Sequence, residues 1–447
     1  MRSPHTPLSE PVFDEPTMEN GVLTPDPGGF LVKHPSDSPI YDELGDAQRK
    51  DVVAVPKSRL KPDELFPLAS AYGSGGDAVV KKITKAGRIT FHSIGDSGAS
   101  QAGKFRNELT VADQITEECQ SNDAAMQPAF LFHLGDVVYS FGEAKYYYDQ
   151  FYEPFRHYPR PIFAIPGNHD SFIVPGTDKK DYPLTTFQRN FCAAKPSITG
   201  EAKALHRTAM TQPGVYFTLD APFVRIIALF SNALENPGVI SAEGGKWPEV
   251  SDEQLQFLEA QLKRVKAESY PGAVLLAVHH PPFTYAPPKG EGGASGHHTG
   301  STAMLREIDT VCASAGVYPH AFLTAHAHNY QRYTRTITFN GATQEVPFLV
   351  CGSGGHNVNA LVRARKGEIS HEPHYGADVS YLDTKPVVKS QGLKLAKYDD
   401  GEYGYLRITV DPHVLRLGFH RAGTGSIAQS RFDLVTVDVK KKVLVAN

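Results

Sequence analysis

The feature that most constrains this chain is a recurring join: a strand-length apolar run stops, and the turn behind it carries glycine or small residues with Asp, Asn or His. Residues 88–94 run into Gly95-Asp96-Ser97-Gly98, residues 129–134 into Gly135-Asp136, and residues 161–165 into Pro166-Gly167-Asn168-His169-Asp170. Residues 224–230 lead to Ser231-Asn232, 273–278 to His279-His280-Pro281-Pro282, and 321–324 to Ala325-His326-Ala327-His328. Residues 346–350 reach Gly352-Ser353-Gly354-Gly355. Helical patterns lie between the runs. Phe105, Leu109, Ala112 and Cys119 mark one, and Ser251 with Gln254 forms a capping box ahead of another, whose face carries Leu255, Leu258, Leu262 and Val265. Strand, polar turn, helix, strand is the pattern of an α/β domain, which holds its functional residues beyond the carboxyl ends of its strands.

The 447 residues leave room for one large domain with extra elements, or for two. Eleven prolines among the first 67 residues, interleaved with Asp, Glu, Ser and Gly, cannot build a core of their own. Residues 1–85 therefore read as an extended N-terminal arm or a small extension packed on the main domain, and residues 86–447 as that domain. Near the end, residues 405–410 and 414–419 alternate like a β-hairpin joined through Asp411-Pro412. Residues 285–300, rich in Gly and Pro, read as a mobile loop near the site.

Net charge is −4 with histidine neutral, and no long basic run is present. This argues against nucleic acid as the partner and for a small or phosphorylated substrate, including a phosphoprotein. Cys119, Cys192, Cys312 and Cys351 form no Cys-x-x-Cys pair, so they are expected as buried free thiols rather than a thiolate zinc site. Residues 1–9 hold no apolar stretch of signal-peptide length and no later segment has the length of a membrane span. A cytoplasmic protein with no membrane partner is the expectation, or a secreted or periplasmic one if an export signal has been trimmed away.

In chain order the turns supply Asp96, Asp136, Tyr139, Asn168, His279, His326 and His328. A turn that only reverses the chain favours Gly, Pro, Asn and Ser, and has no reason to collect three imidazoles, two carboxylates and a phenol. Taken singly, each has a bland reading: an Asx turn for Asp96 or Asp136, a left-handed turn for Asn168, a core aromatic for Tyr139. Five such coincidences at five strand ends are not a natural reading. Oxygen and imidazole donors without sulfur suit Fe, Mn, Zn or Mg.

The order and spacing resemble the purple acid phosphatases within the calcineurin-like metallophosphoesterases. Five blocks carry the resemblance over residues 86–356: Gly95-Asp96-Ser97-Gly98, Gly135-Asp136-Val137-Val138-Tyr139, Gly167-Asn168-His169-Asp170, Val278-His279-His280-Pro281, and Ala325-His326-Ala327-His328-Asn329-Tyr330-Gln331-Arg332. Most metallophosphoesterases place a histidine two residues after the first aspartate. Here Gly98 stands there, and Tyr139 stands three residues after the second, an exchange that resembles the purple subgroup. Two departures are Ala325, where the last block normally opens with Gly, and Gln331, where the family's tail is acidic.

The resemblance implies a metallophosphoesterase four-layer sandwich, two mixed β-sheets flanked by helices, with the N-terminal arm added. It implies hydrolysis of phosphate monoesters at a dinuclear centre of Fe(III) and a divalent metal (Fe, Zn or Mn). Asp96, Asp136, Tyr139 and His328 would hold the first ion, and Asp136, Asn168, His279 and His326 the second, with Asp136 bridging. His279 is preferred to His280 because the family's ligand sits two residues before a proline, here Pro281. A phenol of ordinary pKa near ~10 ionises at acidic or neutral pH only against a strong Lewis acid such as Fe(III). His169 is the candidate for contacting phosphate or protonating the leaving group, and His297 and His298 resemble pocket-lining histidines of plant-type members. His356 either reaches the pocket or stabilises its loop. His92 and His133, within strands, are expected as satisfied interior histidines. Tyr146, Tyr147, Tyr148, Phe151 and Tyr152 are expected as a packing face, and Arg363, Arg365 and Lys366 as a solvated loop. Competing readings are a phosphodiesterase on the same metals, a non-catalytic metal-binding scaffold, and a Ser/Thr protein phosphatase, whose first block would carry the missing histidine.

Overall fold

The computed structural model describes residues 10–13, 51–100, 102–123, 126–172, 184–203, 205, 207–285, 298–361, 387–423 and 425–446. Two mixed sheets form it. The first runs in the order β1 (Phe66–Pro67), β5 (Phe217–Ala221), β6 (Val224–Leu229), β7 (Ala273–Val278), β8 (Ala321–Thr324), β10 (Ala342–Cys351), β9 (Tyr330–Phe339), β11 (Lys389–Asp399). The second runs β15 (Leu444–Val445), β14 (Arg431–Asp438), β13 (Val414–Arg421), β12 (Gly404–Val410), β2 (Ile89–Ile94), β3 (Leu131–His133), β4 (Ile162–Ala164). Strands β6, β7, β8 and β10 are mutually parallel, as are β2, β3 and β4, and the added strands β9 and β11 to β15 pair antiparallel.

The central parallel strands β2, β6 and β7 are buried at every position, which is why they read as continuous apolar runs rather than alternating ones. One core joins the two sheets. Phe132 and Phe163 of the second sheet lie 6.2 and 6.3 Å from Phe217 of the first, and Tyr330 stacks on Phe419 at 4.1 Å. Helices Ala102–Glu118, Glu253–Ala267 and Thr302–Ala315 flank the sheets. The expected α/β sandwich of two mixed sheets with flanking helices is the fold observed. Because β2–β4 share one direction and β7 and β8 another common one, their carboxyl ends gather the five sequence blocks.

Three local outcomes refine the sequence reading. The helix expected behind Ser251 begins at Glu253 with Asp252 at its N-cap, so the Ser251–Gln254 capping box does not form. Gln254 turns inward instead, accepting from Phe230 N and donating to Phe230 O, both at 2.8 Å, and the inward face becomes Gln254, Phe257, Leu258, Gln261, Leu262 and Val265, with Leu255 half-buried. Gln254→Ala should leave both backbone groups of Phe230 without partners in the core. A loss of roughly 2 kcal/mol in unfolding free energy by denaturant titration is the expected result. Within the stretch expected as an arm, Phe66–Pro67 adds an edge strand beside β5, and Gly76–Ala86 is a helix ended by left-handed Gly87 (φ 70°). Upstream of these, Asn232 exchanges hydrogen bonds with the backbone of Val53 at 2.7 and 2.9 Å. The hairpin of β12 and β13 turns at Asp411 as expected.

All four cysteines are free and buried. His92 pairs with Glu118 at 2.9 Å and Tyr158 at 3.2 Å, and His133 with Ser97 Oγ at 2.9 Å and Gly135 N at 3.2 Å, so both are satisfied interior histidines. Tyr146, Tyr147, Tyr148, Phe151 and Tyr152 are buried in the core as a packing face. Arg363, Arg365, Lys366 and most of the loop 285–300 lie outside the described residues. Among the described residues no helix is long and apolar enough to cross a membrane.

Candidate metal centre

The strand-end turns hold their polar side chains by unusual backbone. Asp96, Asp136 and His326 have φ of 55°, 55° and 67°, a left-handed region that costs a residue with a Cβ and persists where surrounding structure enforces it. The enforcement is visible: Asp96 N donates to Gly135 O at 3.0 Å, and His326 N to Asp96 Oδ2 at 2.8 Å. Gly167 is required by close approach, since a Cβ there would stand 2.1 Å from Asp136 Oδ1.

All seven turn residues converge. Asn168 Oδ1 lies 3.1 Å from both His279 Nε2 and His326 Nδ1, and His279 Nε2 lies 3.4 Å from Asp136 Oδ2. On the other side, Tyr139 Oη donates to Asp96 Oδ1 at 3.0 Å, and His328 Nε2 lies 3.2 Å from that phenol and 3.4 Å from Asp96 Oδ1. Ligand atoms of Asp136, His279 and His326 fall within 4.8 Å of one another, and so do those of Asp96, Asp136 and His328. Two triads therefore share Asp136. His280 is not in either, because Ser231 Oγ at 2.7 Å and Leu234 O at 2.8 Å engage its two ring nitrogens. His279, in contrast, spends only Nδ1 on a carbonyl, Leu134 O at 2.8 Å, and aims Nε2 inward.

The electrostatics fit cations. Burial pushes the Asp96 carboxyl well above its ordinary range. Burial works the same way on Asp136, but His279 and His169 outweigh it and hold that carboxyl well below its ordinary value. Burial pulls His279 down, yet Asp136 lifts it to about 9. Burial takes His328 to about 4, and burial with the neighbouring imidazoles takes His326 well below its usual value, so both keep free lone pairs. Burial, then the charges of Asp136 and Asp96, raises the Tyr139 phenol. Asp136 Oδ2, His326 Nε2 and His328 Nδ1 are buried with no hydrogen-bond partner among the described residues. Buried acceptors without donors are costly, and two triads of carboxyl oxygens and imidazoles that share Asp136 fit a pair of metal ions.

Around the cluster stand the other histidines. His169 engages Ser140 O through Nδ1 at 2.8 Å and its ring lies 4.4 Å from that of Tyr139. The ring of His298 lies 4.8 Å from His326 and 4.9 Å from His328. His356 does both things considered for it, stacking on Tyr139 at 3.6 Å and pinning its loop through Nδ1 to Gly98 O at 2.7 Å. His297 lies outside the described residues.

Several supporting residues escaped the sequence reading. Gln150 accepts from Tyr139 N at 2.9 Å and donates to Tyr139 O at 3.0 Å, clamping that residue from both sides. Asp170 accepts from Val137 N, Val138 N and Gly167 N at 2.9–3.1 Å, tying the second block to the third. Burial and the charge of Asp136 raise its carboxyl to about 7. Glu235 accepts from Asn168 Nδ2 at 3.3 Å. Only Asp170 had a visible signal, as the last member of Gly167-Asn168-His169-Asp170. The two departures are absorbed locally. Ala325 is accommodated by Gly95, whose added Cβ would meet Ala325 Cβ at 2.4 Å. Gln331 accepts from Tyr285 N at 2.7 Å and Tyr333 Oη at 2.9 Å.

Two mixed sheets delivering paired Asp and His triads from their strand ends define a metal-dependent phosphoester hydrolase. The calcineurin-like phosphoesterase family model matches residues 89–330, more than half of the chain, and the chain belongs to that family. Among solved structures it is similar to GAP50, the anchor in the inner membrane complex of Plasmodium, at 11% identity and TM-score 0.44, covering 80% of this chain and 91% of that one. It is also similar to PhoD, at 15% identity and TM-score 0.46, covering 80% and 72%. No curated protein matches the sequence significantly.

Proposed function

We propose that this phosphoesterase is of the purple acid phosphatase type, hydrolysing phosphate monoesters of a small molecule or phosphoprotein with Fe(III) and a divalent ion (Fe, Zn or Mn). The observation that carries the reading is the Tyr139 phenol oxygen, buried 3.0 Å from Asp96 Oδ1 and 3.2 Å from His328 Nε2, opposite a glycine at 98. Asp96, Asp136, Tyr139 and His328 would hold one ion, and Asp136, Asn168, His279 and His326 the other. A bound metal pair supplies Lewis-acid charge for the phosphate oxygens and a nucleophile from water.

The chain's own groups do the rest. His169 donates Nδ1–H to Ser140 O, so it is Nε2 that faces the reaction, and with the ring doubly protonated Nε2–H would give its proton to the departing alkoxide or donate to a phosphate oxygen. His298 stands over His326 and His328, where a phosphate oxygen would need a donor.

The test is spectroscopic and catalytic together. Iron-loaded protein should show a broad visible charge-transfer band that Tyr139→Phe abolishes, with the metals still bound. A band that survives the substitution would refute tyrosinate ligation. Aryl phosphate monoesters should be turned over faster than diesters between acidic and neutral pH; the reverse order would favour a diesterase. Inactivity toward both by metal-loaded protein would favour a scaffold.

A further inference from the structure

The loop after β6 carries no recognisable motif, yet it delivers a carboxylate to the cluster. Glu235 Oε2 accepts a hydrogen bond from Asn168 Nδ2 at 3.3 Å, and Glu235 Oε1 lies 3.9 Å from His298 Nε2. With its nitrogen turned to Glu235, Asn168 points Oδ1 at His279 and His326, 3.1 Å from each. A carboxamide has a donor end and an acceptor end, and only the oxygen can bind a cation. An acceptor-only neighbour decides which end faces inward.

The loop that presents Glu235 is held on three sides. Asn232, ahead of it, exchanges two hydrogen bonds with Val53. His280, next to the candidate ligand His279, bonds Leu234 O at 2.8 Å and Ser231 Oγ at 2.7 Å. Gly238, behind it, donates to Ser301 Oγ at 2.6 Å, and a Cβ there would meet His280 Cβ at 2.6 Å. The segment between Leu234 and Gly238 therefore has fixed ends, which hold the carboxylate toward Asn168. Fixed outer partners of this kind orient a metal's ligands and raise their basicity.

We infer that Glu235 is a positioning residue of the metal centre: its carboxylate fixes and polarises the Asn168 amide as an oxygen ligand and anchors His298 beside it. The inference rests on the metal-centre reading above. It acts through Asn168 and His298, not on the reacting atoms.

The test is titration of metal-free protein with Mn²⁺ or Zn²⁺, following binding by calorimetry. Glu235→Ala should weaken the divalent site by about 10–100-fold, while the melting temperature of the metal-free protein stays at the wild-type value. Glu235→Gln, which keeps an acceptor but not the charge, should fall between the two. Excess divalent ion should restore turnover to both variants, a rescue that a purely structural role would not give. Wild-type affinity in both variants, or in Glu235→Gln alone should the alanine variant not fold, would overturn the inference. Failure of the wild-type protein to take up metal would instead overturn the metal-centre reading beneath it, and this inference with it.

Discussion

Asp136→Asn should lower turnover of an aryl phosphate by about a thousandfold or more, with metal content falling in parallel and the fold retained. Asp136 belongs to both triads, so its loss removes a ligand from each at once. The substitution is chosen to isolate that role. Asp136 Oδ1 accepts from His169 N at 3.0 Å, and an asparagine oxygen can take that bond over. Asp136 Oδ2 has no hydrogen-bond partner among the described residues, and an amide nitrogen in its place cannot bind a cation. The backbone at 136 is already left-handed, a region asparagine tolerates better than most residues. A second readout is independent of metal. Against burial, Asp136 contributes most to lifting His279 to about 9, ahead of Asp96 and the Leu134 carbonyl, so the metal-free variant should titrate His279 at lower pH than the wild type, visible by NMR titration of the imidazole. Wild-type metal content in the variant would mean that the two triads do not share this residue as a ligand.

What could be read from sequence divides along a physical line. Asp96, Asp136, Asn168, His279, His326 and His328 were legible because each ends a buried strand, and a polar side chain in such a turn needs a reason to be there. The choice of His279 over His280 rested on the proline that follows, and the structure supplies the cause in Ser231 Oγ and Leu234 O, which engage the rejected ring. Gln150, Glu235 and the inward turn of Gln254 were not legible. Each acts through a contact set by the fold: Gln150 on Tyr139, Glu235 on Asn168, Gln254 on Phe230. A polar residue that serves a group distant in sequence has the same local neighbourhood as one that faces water. Proline density likewise hid the helix Gly76–Ala86, because composition reports on a whole stretch and the last eleven residues before Gly87 contain no proline.

Gly98→His would install the histidine that most metallophosphoesterases carry, and here it should damage the centre. A Cβ at 98 would stand 2.6 Å from Val137 O, 2.7 Å from Gln150 Oε1 and 3.0 Å from Tyr139 Cδ2. None of these can easily withdraw. Val137 O is backbone, in a segment whose Val137 and Val138 amides Asp170 holds, and Gln150 is tied to Tyr139 at both N and O. Even Gly98→Ala should therefore cost roughly 1–3 kcal/mol of stability by denaturant unfolding. The histidine variant should cost more and should lose the visible charge-transfer band, since displacing Tyr139 displaces the phenol from Asp96 and His328. Tyr139→Ala removes one of the three clashes, so the double variant should recover part of the lost stability, leaving a favourable coupling in the cycle. Recovery cannot be complete while Val137 O stays where it is. The glycine and the tyrosine are thus two halves of one packing solution, and wild-type stability in Gly98→His alone would show that they are independent.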